Sequence, residues 1–578
     1  MSHPPPPPFG AQLRPARRPC TPIQHGINRL PTELLSDIFL RFCPDGFRTV
    51  VCQICGSSEA KEWWFIPWVC QRWREIALGT PRYWAVPLFS SHDLLDVMLQ
   101  RARHASLTIH LHEAALKPAL DSTRIFATVL AHLEHTENLV LHCTWATLER
   151  AIAPGGALAQ RAPILRTCSI TCTDGRVAEV PFIPLDFLAG HAPKLEALHL
   201  AGCWTKWASP LLQSTIRVLV FTSTYIPLAD QPGAVLAALE RMPQLKHLIL
   251  YRKGQISTNG DVSPSLPSLG ITRSVVLPHL RQCVMMTTLA DTCALMDALL
   301  VPSTASVTAT LDIPDDPPFT RSIDALAHSL GQRFVSPVSA SITPLRSMRV
   351  LASVYDDTDT FRLSAATQCQ PDVFTGAVPP SRVEPSALTD SSLDVAVSGS
   401  LRRGGSVPAA IGTLLGTLPL RAVSELVVDF GIYTLMPAWW HAAAACMPAL
   451  DTVVAYGHNA ADTLFAFLDA APVPDGAFPE SPMPALRSLA LVGLDLLFPS
   501  RCTALLRALR RRGRIGVGMH RLSLRGCALP LKRVLELQAN VRDIIVIVDE
   551  KAKVAPESPS TQNRAHGSSL SRFELSQL

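Results

Sequence analysis

A chain of 578 residues, 48% hydrophobic and only 17% charged, can bury a large core and is long enough for several domains or one long repeat array. Its 52 Lys+Arg against 47 Asp+Glu leave a formal net charge of +5, too little at this length to argue for nucleic-acid binding. Fifteen cysteines is an odd count, and the start, MSHPPPPPFGAQLRPARRPC, lacks the apolar core of a secretion signal. The thiols are therefore expected to be reduced, in a cytoplasmic or nuclear setting.

Residues 1–22, rich in Pro and Arg, read as a disordered tail. The next segment, LPTELLSDIF (30–39), reads as an amphipathic helix, because Leu30, Leu34, Leu35, Ile38 and Phe39 recur at helical spacing. Pro31 suits the first turn, and Glu33 complements the positive end of the helix dipole. A second apolar helical face follows in WVCQRWREIALGTPRYW (68–84), carried by Val69, Trp73, Ile76 and Ala77, and Thr80-Pro81 ends it.

Between the two lie 24 residues, CPDGFRTVVCQICGSSEAKEWWFI (43–66). They hold Cys52 and Cys55 at C-x-x-C spacing, with Cys43 and Cys70 nearby. Four thiolates can make a structural zinc site, but no second C-x-x-C completes the motif, and free structural thiols are the simpler reading.

The pair INRLPTELLSDIFLRF and VCQRWREIALGTPRYW resembles the F-box, in the form abundant in mushroom-forming fungi: L-P-x-E-L-L-x-x-I-F, then V-C-x-x-W-R-x-x-A-x-x-T-P-x-x-W. The match covers about residues 27 to 85, and LLDVMLQRARHASLTIHLH (94–112) resembles the helix and strand that follow it in such proteins. The resemblance implies docking on a Skp-type adaptor of a cullin-RING ubiquitin ligase. Carried over position by position, the contacts would be Leu30, Pro31, Leu34, Leu35, Ile38, Val69, Cys70 and Trp73. So short a helical pair also has too little interior for its own large side chains and needs a second surface.

Beyond it, an L-x-x-L-x-L spacing recurs: Leu195/Leu198/Leu200 with Cys203, Leu245/Leu248/Leu250, Leu486/Leu489/Leu491, and Leu522/Leu524 with Cys527. Looser copies fall at Leu165/Cys168/Ile170, Ile216/Leu219/Phe221, Leu280/Cys283/Met285, Leu345/Met348/Val350, Val423/Leu426/Val428 and Leu450/Val453/Ala455. Proline precedes several by two residues (Pro163, Pro193, Pro243, Pro278, Pro448, Pro484). Steps such as 165 to 195 and 216 to 245 suit one strand plus one helix per unit, which resembles an irregular leucine-rich repeat. The expected fold class is thus an α/β repeat: a small all-α F-box-like domain followed by an irregular leucine-rich-repeat solenoid.

The expected domains are 23–90 for the helical domain with its 43–66 insertion, 91–360 and 409–552 for the repeats, and 361–408, rich in Ser, Pro and Thr, for a flexible insertion. Residues 553–578 read as a disordered tail. Arg-rich LLRALRRRGR (505–514) reads as a helix end whose arginines complement the dipole, with Gly513 closing it in the left-handed conformation. The uncharged window at 430–450 is interrupted by Pro437, His441 and Pro448 and reads as a buried helix, so no membrane partner is expected. His110 and His112 share a strand face, and His132 and His135 lie one helical turn apart; partly exposed histidines explain both.

No nucleophile elbow, phosphate loop, dinucleotide fingerprint or H-E-x-x-H is present. No catalytic residue, cofactor or metal ligand is therefore assigned. The expected function is that of a non-catalytic, substrate-recruiting subunit of an SCF-type ubiquitin ligase, bound to its adaptor through the helices and to a client protein through the repeats. The alternative is a ligase-independent repeat scaffold in which the helices only cap the array.

Overall fold

The computed structural model describes residues 27–42, 63, 65–116, 121–173, 182–223, 232–252, 274–302, 304–313, 319–335, 344–355, 358–368, 391–399, 407–431, 437–470, 483–529 and 531–547. The two expected tails, Cys43, Cys52 and Cys55, and much of 361–408 lie outside these residues. The chain divides into two compact units, 1–312 with 335–341, and 313–334 with 342–578.

In the first unit, helices α1 (Thr32–Phe42), α2 (Ile66–Val69), α3 (Gln71–Gly79) and α4 (His92–Ala102) precede the sheet. Its strands are β1 (Leu107–His112), β2 (Thr136–Cys143), β3 (Thr167–Cys172), β4 (Ala197–Ala201), β5 (Val218–Ser223), β6 (His247–Arg252), β7 (Gln282–Thr288) and β8 (Ser306–Ile313). Each pairs in parallel with the next.

Register explains the core. Ile109, Leu139, Cys168, Leu198, Leu219, Leu248, Cys283 and Val307 are partners across the eight strands, and all are buried. Two residues on, Leu111, Leu141, Ile170, Leu200, Phe221, Leu250, Met285 and Ala309 form a second buried row. A strand alternates its faces with a period of two, so both rows point to one side. The prolines set the entry turns. The amides of Leu165, Leu195, Leu245 and Leu280 donate to the carbonyls of Ala162, Ala192, Met242 and Leu277, which puts Pro163, Pro193, Pro243 and Pro278 second in the turn, where a fixed φ is favourable.

The second unit holds β9 (Ser347–Tyr355), β10 (Thr358–Ala366), β11 (Ser391–Gly399), β12 (Glu425–Asp429), β13 (Thr452–Tyr456), β14 (Ser488–Val492), β15 (Arg521–Arg525) and β16 (Asp543–Ile547). Strands β9 and β12 to β16 run parallel, but β9–β10 and β10–β11 are antiparallel.

These findings correct the expected fold class. The protein is mixed α/β, with sixteen strands in its mostly parallel large sheet and fourteen α-helices among the described residues, not a small all-α domain followed by a solenoid. Two physical reasons account for the change. First, the N-terminal helices share a compact unit with the sheet: the Thr108 amide donates to the Ala85 carbonyl (2.9 Å), and the Arg101 guanidinium lies 4.6 Å over the Trp84 ring. Second, β10 and β11 reverse chain direction inside the stretch read as an insertion. Their Phe361, Leu363, Leu393, Val395 and Val397 are buried at every second residue, a strand pattern.

Two smaller readings also change or sharpen. The helix Pro499–Arg514 runs through Gly513, and Gly516 takes the positive φ (77°). Arg512 is fully buried, its Nη2 donating to the carbonyls of Met483 (3.1 Å) and Leu486 (2.8 Å). Inside the 430–450 window, a helix at Pro437–Cys446 buries Trp439 and Trp440.

Gly202 carries a local constraint. Its φ is +68°, and a Cβ there would stand 2.5 Å from the Cys172 carbonyl oxygen. Gly202→Ala is expected to destabilise the first unit by about 2 kcal/mol, and Leu248→Ala by about 3 kcal/mol, both read as lower denaturant midpoints.

Candidate docking surface

Helix α1 carries two apolar stripes rather than one. Leu35 and Phe39, four residues apart, are buried at 0% and 1% exposure. Pro31 and Leu34 lie on the outside, Leu34 at 50% exposure, while Leu30 and Ile38 are half-buried between the two.

The inner stripe is held by α3. The Trp73 ring sits 5.0 Å from that of Phe39, tilted by 52°. Arg72 Nη2 donates to the Leu30 carbonyl (2.7 Å), which brings the start of α1 beside the start of α3. Thr80 Oγ1 donates to the Ile76 carbonyl, so its contact with Ser36 Oγ (2.7 Å) is one in which Ser36 donates. Beneath them, Trp84 Nε1 donates to the Ala77 carbonyl (2.8 Å), and the Tyr83 hydroxyl donates to the Trp63 carbonyl. This lower layer fixes the helix pair to the unit.

Among the described residues the outer stripe has no such cover. Val69 is 60% exposed and Trp68 is 68% exposed, its ring faced by the Arg74 guanidinium at 5.3 Å. Cys70 and Trp73 are half-buried. Of the eight contact positions read from the sequence, Pro31, Leu34 and Val69 are open, Leu30, Ile38, Cys70 and Trp73 are partly open, and Leu35 is internal, where it supports the helix from below. Trp68 was missed. Its signal was an aromatic beside Val69 on a helix of one turn, where spacing cannot assign a face. Scattered exposed apolar residues are ordinary, but a cluster of large ones on paired helices marks a contact surface.

A second constellation lies on the sheet. His110 and His112 of β1 share a face with His142 of β2 and His199 of β4, as strand register requires. The rings of His112 and His142 stack at 5.2 Å, and His199 Nδ1 is 3.0 Å from Ser169 Oγ. Burial, reinforced by the neighbouring imidazole of His142, pulls His110 down to about 4; burial, with His112 and His199 beside it, does the same to His142. Burial also lowers His199. The rings of His110 and His142 are therefore neutral near pH 7. Among the described residues no group of three or more His, Cys, Asp or Glu is arranged to hold a metal ion. Nor is any helix among them long and apolar enough to cross a membrane.

A groove of 540 Å³ at the entry to β14, β15 and β16 is lined by Arg487, His520 and Arg542 among others. No protein-family model matches the chain, and no curated protein matches it.

The histidine face has a pH consequence. A folded pKa near 4 against about 6.5 in the unfolded chain means that the unfolded state binds more protons between those values. Stability is therefore full above about pH 6.5 and lost as pH falls towards 4. Thermal melts at about pH 7.5 and about pH 5 should show a lower midpoint in the acid sample, and His142→Gln should narrow the difference.

Proposed function

We propose that the N-terminal helices dock on a Skp-type adaptor of a cullin-RING ubiquitin ligase and that the chain serves as a non-catalytic, client-recruiting subunit. One observation carries this reading: the outer stripe of α1 and the adjoining Trp68 and Val69 leave large apolar side chains in water while the inner stripe is fully packed. Of these, Leu34 and Val69 are open positions of the resemblance carried by LPTELLSDIF and WVCQRW, and Trp68 extends them.

Magnitudes set the size of the interface. Each fully buried Leu, Val or Trp contributes roughly 1.5–3 kcal/mol, and association costs about 4–15 kcal/mol. Leu34, Trp68 and Val69 alone would barely offset that cost. The partly open Leu30, Ile38, Cys70 and Trp73, with Pro31, are needed to make a lasting contact. The chain's contribution to ubiquitin transfer would then be proximity, with chemistry done elsewhere.

A second reading is favoured by a separate observation. The Thr108–Ala85 hydrogen bond and the Arg101–Trp84 contact tie the helices to β1, which among the described strands has a neighbour on one side only. Helices in that place shield a sheet end, and a ligase-independent binding scaffold would need them for that alone.

The two separate in one experiment on the full chain. Leu34→Asp with Val69→Asp alters only exposed positions, so the melting midpoint should stay within about 2 °C of the parent. Capture of the purified adaptor should fall by at least about tenfold. Equal capture by parent and variant removes the docking assignment and leaves the capping role.

A further inference from the structure

The groove at the start of β14, β15 and β16 holds a row of basic residues that adaptor docking does not use. Leu489, Leu522 and Ile544 are partners across these strands. Arg487, His520 and Arg542 each stand two residues earlier, so alternation sets all three on one side and at one level. The backbone fixes the row: the His520 amide donates to the Arg487 carbonyl (2.8 Å), and the Asp543 amide donates to the His520 carbonyl (2.9 Å). All three residues are exposed and line the 540 Å³ groove, and among the described residues no aspartate or glutamate lines it.

Other arginines of this unit have carboxylate partners. Arg501 donates from Nε and Nη2 to the two carboxylate oxygens of Asp462 (2.7 and 2.9 Å), and Arg362 grips Asp394 in the same way. Among the described residues, the side chains of Arg487, His520 and Arg542 make no hydrogen bond or ion pair. Asp543 alternates to the other face, and Asp451, level with Arg487 on the next strand, accepts from the Thr452 hydroxyl (2.7 Å). Two helices, Pro499–Arg514 and Leu531–Gln538, end at the groove, and such ends attract cations. That attraction does not use up the row. The carbonyls of Arg511, Arg512 and Gly513 accept from the amides of Ile515, Val517 and Gly516, and those of Leu535 and Leu537 from the amides of Ala539 and Asn540.

The groove also has room. Gly516 (φ +77°) and Gly518 bring bare backbone to its wall, and a Cβ at Gly516 would meet nothing within 4 Å. Its 540 Å³ falls in the range of small-molecule sites, roughly 300–1,000 Å³. Behind Leu486 lies the buried Arg512 guanidinium. Burial lowers it to about 10, so it stays charged at pH 7 and adds positive potential that water screens little.

We infer that this groove binds a small organic phosphate monoester, with Arg487 and Arg542 gripping the phosphate from two sides. The His520 ring donates a third hydrogen bond, and the organic part occupies the space beside Gly516 and Gly518. Two guanidinium charges match a dianion, whereas a carboxylate carries half that charge. Two strand spacings, about 10 Å, separate the Arg487 and Arg542 backbones, which lets both side chains close on one phosphate. The site lies in the second unit and does not depend on the adaptor reading; either can fail without the other.

The test is calorimetric titration of the full chain, without adaptor, at about pH 7.5 and fixed ionic strength. The probes are phenyl phosphate, benzoate and inorganic phosphate. Phenyl phosphate should bind with a Kd of about 1 mM or tighter, about tenfold tighter than benzoate, which shares its ring. It should also bind about fivefold tighter than inorganic phosphate, which leaves the rest of the groove empty. Arg487→Gln and Arg542→Gln should each weaken phenyl phosphate about tenfold while the melting midpoint stays within about 2 °C of the parent. Arg510→Gln removes an exposed arginine outside the groove and should leave the affinity unchanged. No heat of binding at about 10 mM phenyl phosphate, equal affinity for benzoate or inorganic phosphate, or equal losses from Arg510→Gln and Arg487→Gln would each overturn the inference.

Discussion

The structure depends on one constraint: a strand can hide only every second side chain on a given face, and parallel neighbours must then hide theirs at the same level. In the first unit this produces two unbroken rows of buried residues across eight strands, including Leu198, Leu219 and Leu248 in one and Leu200, Phe221 and Leu250 in the other. Registers are held because a slip of one residue would turn a whole row outward. The same rule leaves the opposite face free for residues that the core does not want, and that is where His110, His142 and His199 lie, as do Ser523 and Arg525 in the second unit.

The N-terminal helices obey the rule in its helical form. A period of 3.6 lets α1 turn Leu35 and Phe39 towards Trp73 while Leu34 faces out. An apolar helix with two differently treated sides is informative in a way that a uniformly buried one is not. The inner side accounts for why the helices stay with the sheet, through Trp84 and Arg101. The outer side accounts for nothing within the described residues, and on it the proposed docking rests.

Much of the core was legible. In the triplets starting at Leu165, Leu195, Ile216, Leu245, Leu450 and Leu486 the first residue closes the entry turn, the other two are strand positions, and all are buried; proline marks most of the turns, because those residue types have few other reasons to recur together. Strand direction was not legible. Phe361, Leu363 and Ala365 alternate as clearly as any strand, but the Ser- and Thr-rich setting concealed it, and periodicity carries no sign for parallel or antiparallel pairing. Nor could the sequence separate Leu34 from Leu35, adjacent residues of one type on opposite sides of a packing boundary. Arg487, His520 and Arg542 were hidden for a different reason. They lie far apart in the chain, and only the register of three strands brings them level around one groove.

In the proposed docking, the outer stripe of α1 and the Trp68–Trp73 segment wait for a protein surface. Hydrogen exchange of the full chain, alone and with purified Skp-type adaptor, reads that stripe directly. Docking predicts slower exchange in peptides spanning 30–42 and 65–75, with those spanning 136–143 and 488–492 unchanged. Identical exchange with and without the adaptor across 30–42 and 65–75 would contradict it.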